Sequence, residues 1–203
     1  DHWNCWTYRF SYMNNAFSDS FDKSNEADID ECVTRPFHKL DSVENCRIYY
    51  TSSDGNVVEP GSNSFNASIV SNTYENGQGV ITFGGELTSI GSGAFYLCST
   101  LTSVTIPATV KSIGYDAFYG CSSLETLKFA DGSKLETIGV FAFSGTNITA
   151  VTIPATVTNI GYGAFNQTQI ATITIPASVK EIGEQAFSDC SQLSSLAFAD
   201  GSQ

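Results

Sequence analysis

The sequence predicts a β-rich solenoid, in which short coils of chain stack along one axis. An Ile-Gly pair recurs five times, at intervals of 23, 25, 22 and 22 residues, and each pair is followed by an Ala-Phe pair. A fixed period of this length is the signature of a repeat solenoid. We expect five units and a truncated sixth over residues 80–203. The Ile-Gly pairs are Ile90-Gly91, Ile113-Gly114, Ile138-Gly139, Ile160-Gly161 and Ile182-Gly183.

Each unit begins with a strand. In residues 101–106, LTSVTI, the spacing of apolar and hydroxyl residues predicts a strand with one buried face. Pro107 ends it, because proline has no N–H to offer the ladder. A second short strand is expected at 110–113, and Gly114 then turns the chain with a positive φ. Residues 115–119 are expected to form about one helical turn on the convex side.

One coil cannot bury its own apolar side, so the coils must stack with equivalent side chains in columns. The repeated phenylalanines should form such a column in the core, and each contributes about 1.5–3 kcal/mol by its burial. They are Phe95, Phe118, Phe143, Phe165 and Phe187. The third unit differs, because residues 129–135 contain two additional residues and predict a bulging loop. Residues 193–203 repeat 124–134, so we expect the chain to be a fragment of a longer protein.

The six cysteines fall into two groups. Cysteine occupies the third position after the repeat phenylalanine in three units, and threonine occupies it in the other two. This pattern predicts an inward column of free thiols and hydroxyls. This column contains Cys98, Cys121, Thr146, Thr168 and Cys190. Disulfide geometry does not exclude a bond between the first two, which should stack one coil apart. One disulfide is plausible among Cys5, Cys32 and Cys46, and the sequence does not say which pair forms it.

Residues 1–47 form an aromatic and acidic segment without the repeat motif. Its first part alternates aromatic and polar residues, which predicts a strand with an aromatic face: Trp6, Tyr8, Phe10 and Tyr12. We favour a cap on the first repeat over a platform for sugars, because solenoids need covered ends. The six acidic residues in 19–31 suggest a Ca²⁺-binding loop. The glycine and the final glutamate of an EF-hand are missing, so we favour a solvated acidic loop.

Residues 48–79 are expected to cap the stack as two β-hairpins. The first would join 48–51 to 57–58 across Ser-Asp-Gly-Asn, which is a turn signal. The second would join 69–74 to 80–83 across Glu-Asn-Gly-Gln-Gly. This block would lead the chain into the repeats.

The recurring Ile-Gly-x-x-Ala-Phe motif supports a resemblance to a known family. Residues 106–124, IPATVKSIGYDAFYGCSSL, resemble the BspA-like leucine-rich repeats of bacterial surface proteins. Residues 48–60 and 69–83 resemble segments that precede such repeats in Bacteroides-type proteins. The resemblance covers 48–203. It implies a leucine-rich-repeat solenoid, a secreted or outer-cell-surface location, and adhesion.

Charge and composition exclude several functions. The net charge is −12 and there are no basic clusters. This disfavours nucleic-acid binding, because such binding depends on neutralising the phosphates. No apolar run reaches the ~20 residues that a membrane span needs. Only His2 and His38 are present, and the sequence has no P-loop, zincin or nucleophile-elbow motif. We predict no enzyme and no cofactor or metal; a catalytic site would have to lie within 1–46, with His38 and Cys46 as its candidates.

The remaining candidate is the outward side of the long strands, which lines the concave face in leucine-rich repeats. Two outward columns are expected: Ser103, Thr126, Ala150, Thr172 and Ser195, and Thr105, Lys128, Thr152, Thr174 and Ala197. We predict a binding site at Thr105, Glu125, Lys128, Thr152 and Thr174 for a host extracellular-matrix protein, a mucin or a glycan. Threonine also simply suits exposed strands. The alternative function is a structural spacer that displays another domain absent from this fragment.

Overall fold

The computed structural model describes residues 44–61 and 63–201. The predicted aromatic strand, the acidic loop, both histidines, Cys5 and Cys32 lie outside the described residues. The strands within them are β1 Arg47–Ser52, β2 Ile69–Glu75, β3 Gln78–Phe83, β4 Ser89–Ile90, β5 Leu101–Ile106, β6 Ser112–Ile113, β7 Thr126–Phe129, β8 Thr137–Ile138, β9 Asn159–Ile160, β10 Thr172–Ile175, β11 Glu181–Ile182 and β12 Ser195–Phe198.

The two-residue strands form one continuous parallel sheet, in the order β11-β9-β8-β6-β4. The repeat isoleucines lie in register across it, with the pairs Ile90–Ile113, Ile113–Ile138, Ile138–Ile160 and Ile160–Ile182. Backbone bonds extend each pairing beyond the strand: Gly114 N donates to Ile90 O at 2.7 Å. Every coil is therefore hydrogen-bonded to the next, and the predicted solenoid is confirmed.

The longer strands form two sheets instead of one. β5 pairs with β7 in parallel, and β1 adds antiparallel to the other edge of β5, which gives the order β2-β3-β1-β5-β7. β10 pairs with β12. The equivalent segment of the fourth repeat, 150–153, is joined to β7 by a single bridge between Thr126 and Ala150 and is not a strand. The long-strand side is therefore interrupted at the fourth repeat.

The second predicted hairpin is confirmed and the first is wrong. β2 and β3 are joined by Asn76 and Gly77, both with positive φ, which is the geometry of the favoured two-residue turn. Residues 57–58 do not pair with β1, because β3 and β5 already occupy both of its edges. Instead, Val58 N donates to the phenol of Tyr50 at 3.2 Å.

The predicted phenylalanine column is confirmed. Successive rings from Phe95 to Phe187 are stacked, with centroids 4.9, 5.1, 5.3 and 5.5 Å apart and interplanar angles of 13° or less. Phe65, which the repeat pattern did not include, packs edge-on against Phe95 at 6.0 Å and extends the column. The side chain of Asn66 then caps the first coil, since its oxygen accepts the N–H groups of Thr88 and Ser89.

The predicted helical turn is wrong, because each coil closes through a chain of tight turns. In every coil the residues two before and two after the repeat phenylalanine have positive φ, which an α-helix cannot contain. The residues before it are Gly93, Asp116, Phe141, Gly163 and Gln185, and those after it are Leu97, Gly120, Gly145, Gln167 and Asp189. The first four coils each place one glycine in this pair, which lowers the cost of the conformation.

The predicted reason for the repeat glycine is also wrong. Gly114 does not have a positive φ; it is required because a Cβ there would lie 2.7 Å from the backbone carbon of Gly91 in the preceding coil. The same is true of Gly139, whose Cβ would lie 2.6 Å from the carbonyl carbon of Gly114. These glycines allow successive backbones to touch.

The column of thiols and hydroxyls is buried at four of its five positions, as predicted, and half-buried at Cys98. Cys121 Sγ donates to the carbonyl of Phe95 at 2.9 Å, and Cys190 Sγ donates to that of Phe165 at 3.1 Å. Thr168 donates to the same Phe165 carbonyl at 3.0 Å. Burial raises the pKa of the Cys121 thiol far above its usual value, so this cysteine is structural and unreactive. Free thiols are present at Cys98, Cys121 and Cys190.

Candidate functional site

The solvent side of β5 and β7 continues onto β1. Tyr49 lies directly opposite Thr105, which in turn pairs with Lys128, so the three side chains form one row across three strands. Thr51 lies opposite Ser103 in the neighbouring row, and their hydroxyl oxygens are 2.6 Å apart. The exposed face is therefore built by the capping strand as well as by the repeats.

A first depression of ≈ 760 Å³ lies where the long-strand side is interrupted. Its walls are β7 and residues 149–156, and three predicted site residues line it: Glu125, Lys128 and Thr152. The gap follows the unit with two additional residues, and Asp131 from that loop also lines the depression. The space therefore lies next to the unit with two additional residues, at a repeat whose long-strand segment belongs to neither sheet.

A second depression of ≈ 420 Å³ lies on the other side of the same loop. Thr105 lines it, together with Arg47 and Tyr49 from β1 and Asp131 and Lys134 from the loop. Hydroxyl, phenol, guanidinium, ammonium and carboxylate groups therefore meet within two small hollows. This mixture provides both hydrogen-bond donors and acceptors for a polar partner.

The loop between the depressions, 130–134, is fastened at several points. Ser133 N donates to Ala130 O at 3.1 Å, and Lys134 N donates to Ala108 O at 2.8 Å. From the next coil, the hydroxyl of Thr156 donates to Leu135 O at 2.7 Å. The wall shared by both hollows is thus a fixed turn. We call the two depressions and this loop the divided face.

The fifth predicted residue, Thr174, lies outside the divided face. It belongs to β10, pairs with Ala197 of β12 and lines neither depression. Conversely, Arg47 and Tyr49 line the second depression but were not among the predicted site residues. The signal for their outward direction was present, since Ile48 and Tyr50 alternate with them and are buried.

The divided face presents charged and hydroxyl side chains to solvent. Within residues 44–61 and 63–201, no group of three His, Cys, Asp or Glu side chains is arranged to hold a metal ion. Both histidines of the sequence precede residue 44, so no imidazole of the described chain can act as a base for a nucleophile. Its carboxylates and amines can orient a ligand by charge and hydrogen bonds.

A family model described as the BspA type leucine rich repeat region matches residues 61–194 in six copies. The chain belongs to the BspA-type leucine-rich repeat family. This confirms the resemblance seen in the Ile-Gly-x-x-Ala-Phe motif. BspA-type proteins are often surface-associated, and leucine-rich repeat proteins are generally non-enzymatic.

Solved structures share the fold. A leucine-rich repeat protein from Bacteroides ovatus is 34% identical, with a TM-score of 0.53 over 62% of this chain and 31% of that chain. Another from Eubacterium ventriosum is 29% identical, with a TM-score of 0.51 over 57% of this chain and 30% of that chain. The BspA-type chain thus spans under a third of either protein. No curated protein matches it.

The part of the BspA-type chain that the structure describes contains no helix with the length and apolar character required to cross a membrane.

Proposed function

We propose that this protein is a secreted or outer-cell-surface adhesion protein without enzymatic activity, which binds a host extracellular-matrix protein, a mucin or a glycan through the divided face. The observation that carries this proposal is the interruption of the long-strand side, which leaves two polar hollows on either side of a fastened loop. A regular sheet would present only a flat hydroxyl surface there.

The chemistry of the lining supports a macromolecular partner. Lys128 and Glu125 are exposed, and the hydroxyls of Thr105 and Thr152 lie on the same side. Tyr49 adds a half-buried aromatic ring, a side chain that is enriched at protein interfaces and binds with little loss of conformational freedom. Family membership supports the surface location.

The test is a binding screen against matrix proteins, mucins and a glycan array. A double variant, Lys128→Glu with Thr152→Arg, reverses one charge and fills the first depression. Thr174→Arg is the matched control, since it adds the same side chain to the same side of the solenoid but outside the divided face. We expect the double variant to weaken a hit by about tenfold or more, the loss typical of one central interface residue, with the control unchanged.

If both variants weaken binding equally, or if neither weakens it, the binding surface lies outside the divided face. One observation supports the alternative function, a spacer that displays another domain. The phenylalanine column and the short-strand sheet are unbroken, and they stiffen the stack. The absence of any hit, together with an unchanged unfolding midpoint in the double variant, would support the spacer.

A further inference from the structure

The turn side of the solenoid carries a second set of aromatic rings, separate from the phenylalanine column and from the divided face. They lie on four successive coils and form what we call the aromatic row: Tyr96, Tyr119, Phe141 and Tyr162. Adjacent ring centroids are 5.5, 6.4 and 5.2 Å apart; the first pair is stacked and the other two meet edge to face. Tyr96 is exposed and the other three rings are half-buried. Aromatic surface left in contact with solvent is typical of an interaction site.

The backbone holds these rings in place. Phe141 has a φ of 52°, which bulky side chains rarely adopt. Its ring lies over Gly163 of the next coil, where a Cβ would collide with it. Further along, the phenol of Tyr162 donates a hydrogen bond to Gln185 Oε1 at 2.7 Å. A pre-ordered surface loses less conformational entropy when a partner binds.

A carboxylate lies at the first end of the row. The pKa of the Tyr115 phenol is raised mainly by its hydrogen bond to Asp116 and by the charge of that residue, and further by burial and by the nearby Tyr96 and Tyr119. Tyr96 and Tyr115 are 49% and 53% exposed. The Asp116 carboxylate is hydrogen-bonded to the Tyr115 side chain, and its Oδ1 atom is buried without a partner among the described residues, so a donor from outside would reach the carboxylate at its other oxygen. A carboxylate in this state is stabilised by an added donor or positive charge.

We propose that Tyr96, Tyr115, Tyr119 and Asp116 bind an arginine side chain that a partner protein presents. A guanidinium group can stack on a tyrosine ring and donate hydrogen bonds to a carboxylate at the same time. Partial burial raises the pKa of Asp116, and a cation beside it would offset that effect. The net charge of −12 also attracts a basic partner.

The chemistry of this cluster favours arginine over the other ligands of aromatic surfaces. A neutral glycan could pack on the rings but would leave the carboxylate without a counter-charge. A lysine would supply the charge but not the planar group that stacks. The inference goes beyond the proposed function, because it concerns the turns and not the strands.

The test uses the full chain and a fluorescein-labelled, terminally blocked peptide of alternating glycine and arginine, with lysine and citrulline analogues. At physiological salt, where exposed charges are screened beyond about 8 Å, we expect the arginine peptide to bind at least about fivefold more tightly than the lysine peptide. The citrulline peptide should not bind. Asp116→Asn should weaken binding by about tenfold or more, and asparagine tolerates the positive φ at this position.

The matched control is Asp131→Asn, which removes the same charge from the divided face and should leave peptide binding unchanged. Tyr115→Ser, at an exposed position, should weaken binding about fivefold through the lost ring, with an unchanged unfolding midpoint. Equal weakening by Asp116→Asn and Asp131→Asn would reveal only a general attraction to an acidic protein and would overturn the proposal. Tighter binding of a neutral oligosaccharide than of the arginine peptide would also overturn it.

Discussion

The two sides of the solenoid respond differently to a change in repeat length. The short-strand sheet passes unbroken through five coils, although their spacing varies from 22 to 25 residues. The long-strand side is interrupted at the fourth coil, directly after the unit that carries two additional residues. The short-strand side therefore accommodates the insertion without a break, whereas the long-strand side is interrupted next to it.

The difference follows from how closely successive backbones approach. On the short-strand side they touch at the repeat glycines, and a Cβ on Gly139 would lie 2.6 Å from the Gly114 carbonyl carbon. Such contacts leave no freedom for one coil to shift against the next. On the long-strand side, loop 130–134 joins the two strand positions of its coil and can bulge. Variation of the surface is therefore concentrated where partners are proposed to bind.

The largest expected effect comes from breaking the core between the two sides. Phe143→Ala removes a fully buried ring that lies 5.1 and 5.3 Å from its neighbours in the column. We expect a loss of about 3–5 kcal/mol in the free energy of unfolding, measured with urea. Phe198→Ala is the control, since that ring is 60% exposed and its loss should cost under about 1 kcal/mol. A loss below about 1 kcal/mol for Phe143→Ala would contradict the packing.

A smaller effect is expected from breaking the short-strand side alone. Gly139→Ala would place a methyl group against the backbone of the preceding coil, which should cost about 1–3 kcal/mol in thermal or urea unfolding. Gly85→Ala makes the same change where no atom lies within 4 Å of the new Cβ. That control should be neutral, or stabilising by about 0.4–1 kcal/mol, because alanine restricts the unfolded chain. Equal losses in the two variants would show that backbone contact is not the reason for the repeat glycine.

The smallest expected effect comes from repairing the long-strand side. Deleting Asp131 and Gly132 gives the third unit the length of its neighbours. We expect residues 150–153 to pair with β7, which should add about 1 kcal/mol of stability and slow hydrogen exchange of their backbone amides about tenfold. The amides of β10 serve as the internal reference. Unchanged exchange at 150–153 would mean that the insertion does not cause the interruption.

The sequence allowed the repeats to be predicted because their signals recur in every coil. The Ile-Gly pairs and the phenylalanines occupy equivalent positions, and the structure places them in continuous columns. The positive φ values beside each phenylalanine left no comparable signal. The two positions hold glycine, aspartate, phenylalanine, glutamine and leucine in different coils, so residue type did not reveal a shared conformation.

The composition of the candidate site could be predicted only in part. Thr105 and Lys128 share a face because parallel stacking of equivalent strands puts them there. Tyr49 joins them through the pairing of β1 with β5, in which Tyr49 lies opposite a residue 56 positions later in the chain, and no local signal marks that pairing. The aromatic row was not predicted for a related reason. Tyr96 directly follows the repeat phenylalanine of its coil, whereas Phe141 lies two residues before that of its coil. Different repeat positions converge on one surface.

The left-handed residues beside each phenylalanine also restrict how such an array can lengthen. Leu97 lies over Gly120 of the next coil, and Phe141 lies over Gly163, and in both cases a Cβ on the glycine would collide with the side chain above. At these two places the bulky side chain of one coil therefore favours a glycine at the equivalent position of the next coil. If the coil that contains Phe141 were copied in tandem, the second copy would carry phenylalanine at the position that Gly163 now occupies below Phe141. Duplication of the coil that contains Leu97 or Phe141 is therefore favoured when the coil that follows it is copied as well.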